Sequence, residues 1–207
     1  MNPSVKKLKK EELDINQLAS VLAESVMDDP FSKYFFPDDT KRRYQLPYLI
    51  RSFIHYANNY GEIFVLTTPT GEYCGGSLWL DSDHPTVSPL GLILTMLKPS
   101  VVKIFWHLGF KGLYRIMHYG DFIEKEHLKQ PKRHYYLMTL GIASQWQNRG
   151  LGYELIKTMI EKARIEKIPC YLETQNPMNH NFYFKHGFRI VTEMTPKGCP
   201  TFWGMSN

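Results

Sequence analysis

The feature that most limits what this chain can fold into is a junction in its second half. An apolar run over residues 134–143 passes through a polar turn containing two glycines and into a segment with helical spacing over residues 151–167. There Leu151, Leu155, Ile156, Met159, Ile160 and Ala163 share one face, and Pro169 closes the pattern. A second apolar run, residues 171–174, follows at once. Strand, helix and strand joined this tightly predict a crossover between parallel neighbours, because a hairpin can join only antiparallel strands.

Around that unit the pattern is mixed. Residues 15–26 and 40–60 show helical spacing, through Leu18, Leu22 and Val26 in the first and Leu46, Leu49, Ile50 and Phe53 in the second. Residues 62–68 and 73–80, parted by Pro69, Thr70 and Gly71, read as an antiparallel hairpin. Residues 88–130 read as helical pieces divided by prolines and glycines. Residues 178–186 read as a short helix, and 188–192 and 201–205 as strands. The sum predicts an α/β (α+β) fold, with a mixed, mostly antiparallel central sheet and helices on both faces. At 207 residues, one domain spanning 1–207 is expected, with 84–130 as a helical insert.

Composition narrows the classes of function. The formal charge is +5, part of it from a lysine run at positions 6, 7, 9 and 10, which reads as a solvated tail. No basic patch is interleaved with aromatics, so no nucleic-acid partner is expected. No apolar stretch reaches the ~18 residues of a membrane span, so no membrane partner is expected either. The three cysteines are far apart and form no C-x-x-C pair, which suggests a reducing, cytoplasmic setting. The eight histidines show no ligand spacing, so no metal is expected.

A glycine-containing turn between a strand and a helix is a ready anion site, since the helix N-terminus offers unpaired N–H groups and a positive dipole end. Here the turn is Gln147, Asn148, Arg149, Gly150, Leu151 and Gly152. It lacks the Gly-Lys-Ser/Thr ending of an NTP loop, and no G-x-G-x-x-G is present. Gly150 and Gly152 are expected to let the backbone approach a phosphate, and Arg149 to pair with one.

Residues 140–152, LGIASQWQNRGLG, resemble the central acetyl-CoA motif of the GNAT superfamily of N-acetyltransferases. Residues 171–188, YLETQNPMNHNFYFKHGF, are similar to the strand and helix that follow it in that superfamily. Asp29-Pro30 and the Phe35-Phe36-Pro37 segment look like stretches common near its acceptor site. Ser144 stands where many members have proline. The resemblance implies a cofactor strand that splays from its neighbour, with Leu140, Gly141 and Ile142 pairing with the pantetheine arm of acetyl-CoA. It also implies a coenzyme set of Gln147, Asn148, Arg149, Gly150, Leu151, Gly152 and Tyr153, joined by Asn179. Gly141 within a strand itself suggests a bulge or a close backbone approach.

The implied activity is transfer of an acetyl group to the primary amine of a small molecule or peptide, by direct attack through a tetrahedral intermediate. Tyr183, at the tyrosine position of the F-Y-x-x-x-G-F pattern, is the expected acid for the departing thiolate. Glu173, on the strand beside the cofactor strand, is the expected base, and His134 is an outside candidate. The insert's Phe105, Trp106, His107, Tyr114, Arg115, His118 and Tyr119 are candidates to wall the acceptor pocket. A non-catalytic acyl-CoA-binding or regulatory module is the alternative, and a monomer or homodimer is expected.

Overall fold

The computed structural model describes residues 3–8, 10–84 and 103–207. Its framework is one seven-stranded sheet in the order β1-β2-β3-β4-β5-β7-β6. The strands are β1 (Ser4–Lys7), β2 (Gly61–Thr67), β3 (Tyr73–Leu80), β4 (Tyr135–Ile142), β5 (Cys170–Thr174), β6 (Arg189–Met194) and β7 (Phe202–Ser206). All neighbours pair antiparallel except β4 and β5, the pair joined by the crossover helix.

The helices are α1 (Ile15–Ser25), α2 (Pro30–Phe35), α3 (Asp39–Tyr60), α4 (Lys103–His127), α5 (Leu151–Glu166) and α6 (His180–Lys185). Three start on an aspartate whose carboxylate takes first-turn N–H groups: Asp14 for α1, Asp29 for α2 and Asp38 for α3. Two buried clusters hold the layers together. On one face Leu18, Leu22, Leu46, Leu49 and Ile54 of α1 and α3 pack with Tyr119 of α4 against Leu78, Leu80 and Tyr136. On the other, Leu155, Ile156, Met159 and Ala163 of α5 pack with Tyr183 and Phe188 against Trp79, Tyr135, Leu137 and Leu172. Each fully buried side chain of this size contributes about 1.5–3 kcal/mol, so the period-3.6 stripe of α5 is what fixes the crossover on its face.

Two expectations need correction. The lysine run is not merely a solvated tail. Lys6 and Lys7 belong to β1, which adds an edge strand to β2, with Lys7 Nζ 2.8 Å from Glu62 and Lys6 Nζ 3.0 Å from Glu12. Lysine on an edge strand is soluble and discourages further pairing, which is why the segment resembled a tail. Over residues 103–127 the insert is one continuous helix, its glycines tolerated inside a long apolar-faced segment. The remainder of the insert, 85–102, lies outside the described residues, as do the side chains of Phe105, Trp106 and His107.

Candidate active site

The site begins where two strands part. β4 and β5 are in register only over Tyr135–Cys170, Tyr136–Tyr171 and Leu137–Leu172. Beyond Leu137 the β5 side of β4 has no strand partner, while Glu173 and Thr174 continue on β5, paired to β7 alone. The register of β4 with β3 slips at the same place, between Leu78 and Trp79, so Met138 is an extra residue that bends the strand. A Cβ on Gly141 would lie 2.0 Å from Ser25 Oγ and 3.0 Å from Leu22 Cδ2. Of the two readings of that glycine, close approach is the one observed, and the body that approaches is α1. The bulge sits at Met138 instead.

A cavity of about 210 Å³ opens in this fork. Leu137, Met138, Thr139 and Leu140 form one arm, Glu173, Thr174 and Gln175 the other, and Asn179 and Tyr183 close the far side. Phe31, Phe35, Leu49, Ile50 and Phe53 supply an apolar wall from α2 and α3, and Ile116, Tyr119 and Ile123 of α4 complete it. Among the insert's side chains expected there, Tyr119 lines this cavity. Tyr114, Arg115 and His118 instead line a separate surface hollow with Lys33, Tyr34 and Lys197.

Glu173 is the most unusual group in the fork. Its side chain is 2% exposed, and neither carboxyl oxygen has a hydrogen-bond partner. Burial pushes its pKa up to about 7; the phenols of Tyr136 and Tyr171 lie close enough to oppose that, without reaching hydrogen-bond geometry at either oxygen. Asp29, at the start of α2, is the second carboxyl on the cavity, its pKa also raised by burial although its carboxylate accepts the Phe31 N–H at 3.0 Å. Tyr183 is buried, edge-on to Phe182 and Phe188 at 5.1 and 5.7 Å, and burial with the nearby Asp29 charge holds its phenol protonated well above the ordinary value. Asn179 donates through Nδ2 to Thr174 Oγ1 at 3.1 Å, tying α6 to the end of β5; its side chain makes no cap.

The turn lies beyond the open end of β4. Ser144 begins a tight 3-10 turn, Ser144–Trp146, and its hydroxyl reaches Glu24 Oε1 at 3.3 Å. Gln147 Nε2 donates to the carbonyl of Ile142 at 2.9 Å, which folds the turn back on the strand end. Asn148 and Gly150 adopt left-handed φ values of 59° and 75°. Gly150 is the N-cap of α5 and offers no side-chain hydrogen bond, so the first N–H groups of that helix, Leu151 and Gly152 among them, are left for another acceptor. The two glycines have different causes. Gly150 is required by its positive φ, with open space where a Cβ would stand, whereas a Cβ on Gly152 would lie 3.1 Å from the Phe182 ring. Gly152 therefore makes room for α6. Arg149 donates to the Gln145 carbonyl at 3.0 Å and lies 4.9 Å over the Trp146 ring, and Tyr153 stacks on His186 at 4.4 Å.

An open strand edge leading into an uncapped helix start fits an elongated ligand with an amide-bearing arm and a phosphate end. The fork gathers Leu140, Glu173, Asn179 and Tyr183 around one cavity, and the turn residues stand apart from it. His134 does not line the cavity; it lies behind Glu173, with His127 between them. The sequence reading missed His127, Tyr136 and Tyr171, which carry no local motif; Asp29, in the Asp29-Pro30 stretch likened to those near an acceptor site, lines the cavity. Among the described residues no three or more His, Cys, Asp or Glu side chains group as a metal site, and no helix is long and apolar enough to cross a membrane.

Residues 107–188 match the Acetyltransferase (GNAT) family. An uncharacterized N-acetyltransferase of Schizosaccharomyces pombe is 25% identical over 184 residues, 84% of this chain and 70% of that protein. A Corynebacterium glutamicum structure described as histone acetyltransferase HPA2 and related acetyltransferase has a TM-score of 0.69 at 22% identity, covering 100% of this chain and 96% of that one. Arylalkylamine N-acetyltransferase 2 from Aedes aegypti has a TM-score of 0.61 at 10% identity, covering 100% and 99%. These two share the fold.

Proposed function

We propose that this chain, whose residues 107–188 match the GNAT acetyltransferase family, moves an acetyl group from acetyl-CoA to the primary amine of a small molecule or peptide at the β4–β5 fork. The observation that carries the reading is Glu173, a buried carboxyl with both oxygens unpartnered on the wall of a cavity. An unsatisfied buried polar group typically costs about 1–3 kcal/mol, and an amine entering the fork brings the missing donors.

Bound acetyl-CoA supplies the activated thioester. The turn holds its diphosphate through the first N–H groups of α5, and the free edge of β4 from Met138 to Ile142 pairs with the pantetheine arm. An alkylammonium of pKa ~10.4 is not a nucleophile. The apolar wall of Phe31, Phe35 and Phe53 lowers that value by desolvation, while burial raises that of Glu173 to about 7, so the two approach each other and proton transfer becomes feasible. Tyr183, kept protonated by burial, returns a proton to the departing sulfur. The same wall favours an acceptor whose amine is attached to an apolar body.

The test is a panel of amines and peptides incubated with acetyl-CoA, read by release of free thiol, beside calorimetry with coenzyme A. Turnover of an amine with an apolar body is expected. Coenzyme binding without turnover of any acceptor would leave a non-catalytic coenzyme-binding module, and absence of binding at millimolar coenzyme would remove the cofactor site.

A further inference from the structure

Behind Glu173 lies a row of buried groups that acetyl transfer does not itself require. His127, the last residue of α4, places Nδ1 3.5 Å from Glu173 Oε1. Its Nε2 lies 2.6 Å from Nε2 of His134, the residue before β4, and His134 Nδ1 lies 2.8 Å from the Pro131 carbonyl oxygen. Both rings are 2% exposed.

The row starts from a group that has no choice. A carbonyl oxygen only accepts, so Nδ1 of His134 carries a proton. Neutral His134 then has a bare Nε2, and the contact between the rings makes His127 the donor through its own Nε2. Neutral His127 is left with a bare Nδ1 whose lone pair faces Glu173. Burial lowers the pKa of both imidazoles, that of His127 to about 3, so the neutral forms are the ones present near pH 7.

We infer that the Pro131 carbonyl, His134 and His127 form a tautomer lock that presents a lone pair instead of an N–H to Glu173, disfavouring its carboxylate and so making it a stronger base. The inference rests on Glu173 being the base of the transfer. An imidazole N–H at that position would favour the ionised carboxyl and weaken it as a base; a lone pair does the reverse. His127 and His134 are thus positioning residues. The other titratable groups around them are Tyr136 of β4 and Tyr171 of β5, whose rings lie 4.6 and 5.0 Å from His127, with Tyr119 and Glu126 of α4. Glu126 is held by Thr192 of β6 and by Lys129. None of them donates a proton to His127 Nδ1, and the two phenols nearest Glu173 act against the lock by favouring its charged form.

Two measurements test the lock without relying on turnover. In the unaltered protein, nitrogen-15 NMR of the imidazole rings is expected to show His127 protonated on Nε2 and His134 on Nδ1; a proton on His127 Nδ1 overturns the inference. In protein carrying carbon-13 glutamate, the resonance lost in Glu173→Gln is expected to titrate near neutrality and to move down by a pH unit or more in His134→Phe. His134→Gln should restore it, because its amide can accept from His127 and donate to Pro131. An unchanged titration in a folded His134→Phe protein overturns the lock, and if that variant does not fold the ring nitrogens of the unaltered protein decide. In kcat/KM the acid limb is expected to follow the same shift with KM for acetyl-CoA unchanged. Undiminished turnover in Glu173→Gln would instead remove Glu173 as the base and leave the NMR result standing.

Discussion

The turn before α5 and the Glu173 fork belong to one strand-helix-strand unit and are built in opposite ways. The turn is exposed, and its long side chains bond back to the chain itself, Gln147 to Ile142 and Arg149 to Gln145. What it offers a ligand is backbone. The fork is buried and offers side chains: a carboxyl without partners, a buried phenol and an apolar wall contributed by three helices. Backbone recognition suits a donor whose shape never varies, because it survives most substitutions. Side-chain recognition suits an acceptor that must be chosen, because each substitution changes it.

The largest effect expected from that division is at the fork. Glu173→Gln should lower kcat by about 10²–10⁴, the usual contribution of a positioned acid or base. Its calorimetric affinity for coenzyme A should stay within about twofold, as the turn is untouched. In the unaltered enzyme kcat/KM should rise with pH through about 7, where Glu173 loses its proton. A rate that falls over the same range would assign the carboxyl a different role.

How far each half could be read in advance follows the same line. The crossover was legible because α5 repeats its apolar residues every turn from Leu151 to Ala163 and the turn before it contains glycines. The splay of β4 was implied by the resemblance of residues 140–152, and the register past Leu137 shows it. β1 was not legible, since four residues of an edge strand leave too short a period and its lysines imitate a tail. In the fork, Glu173 and Tyr183 stand in a motif. The histidines behind Glu173 do not: His127 ends one helix and His134 precedes a strand, and only the fold brings their Nε2 atoms to 2.6 Å. Asp29 was pointed to only by the resemblance of Asp29-Pro30 to stretches near an acceptor site, because its place on the cavity wall depends on where α2 packs.

Stability offers a second contrast within the fork. The pKa of Glu173 is raised from 4.5 to about 7 on folding, so it stabilises the fold fully below pH 4.5 and that gain is lost as pH rises through 7. The pKa of His127 is lowered from 6.5 to about 3, so its contribution is present above 6.5 and lost as pH falls toward 3. Between these limits the two slopes oppose each other. Glu173→Gln removes one of them, and denaturant unfolding should show the variant gaining on the unaltered protein by up to ~1.4 kcal/mol per pH unit between 4.5 and 7. A difference that stays flat across that range would mean the carboxyl is ionised in the folded state throughout.

At the turn the expected effects are smaller and concern shape. Gly150→Ala should cost about 1–2 kcal/mol, because an L side chain is strained at φ 75°, and Gly150→Asn should recover much of it. If both variants unfolded at the same denaturant concentration, the positive φ would not be what selects glycine there.

The smallest effect decides whether the turn works through backbone at all. Arg149 is the one cation in Gln147–Gly152, and a phosphate nearby would be expected to draw it. Its guanidinium already bonds the Gln145 carbonyl at 3.0 Å and lies over the Trp146 ring, so it braces the turn before any ligand arrives. An exposed ion pair is worth at most about 1 kcal/mol, and Arg149→Ala should therefore weaken coenzyme A by no more than about fivefold. What little is lost should shrink further in 0.5 M salt, since screening removes surface charge and leaves N–H donors unaffected. A loss of a hundredfold would make the arginine and not the helix start the phosphate ligand, and the two halves of the site would then be built alike.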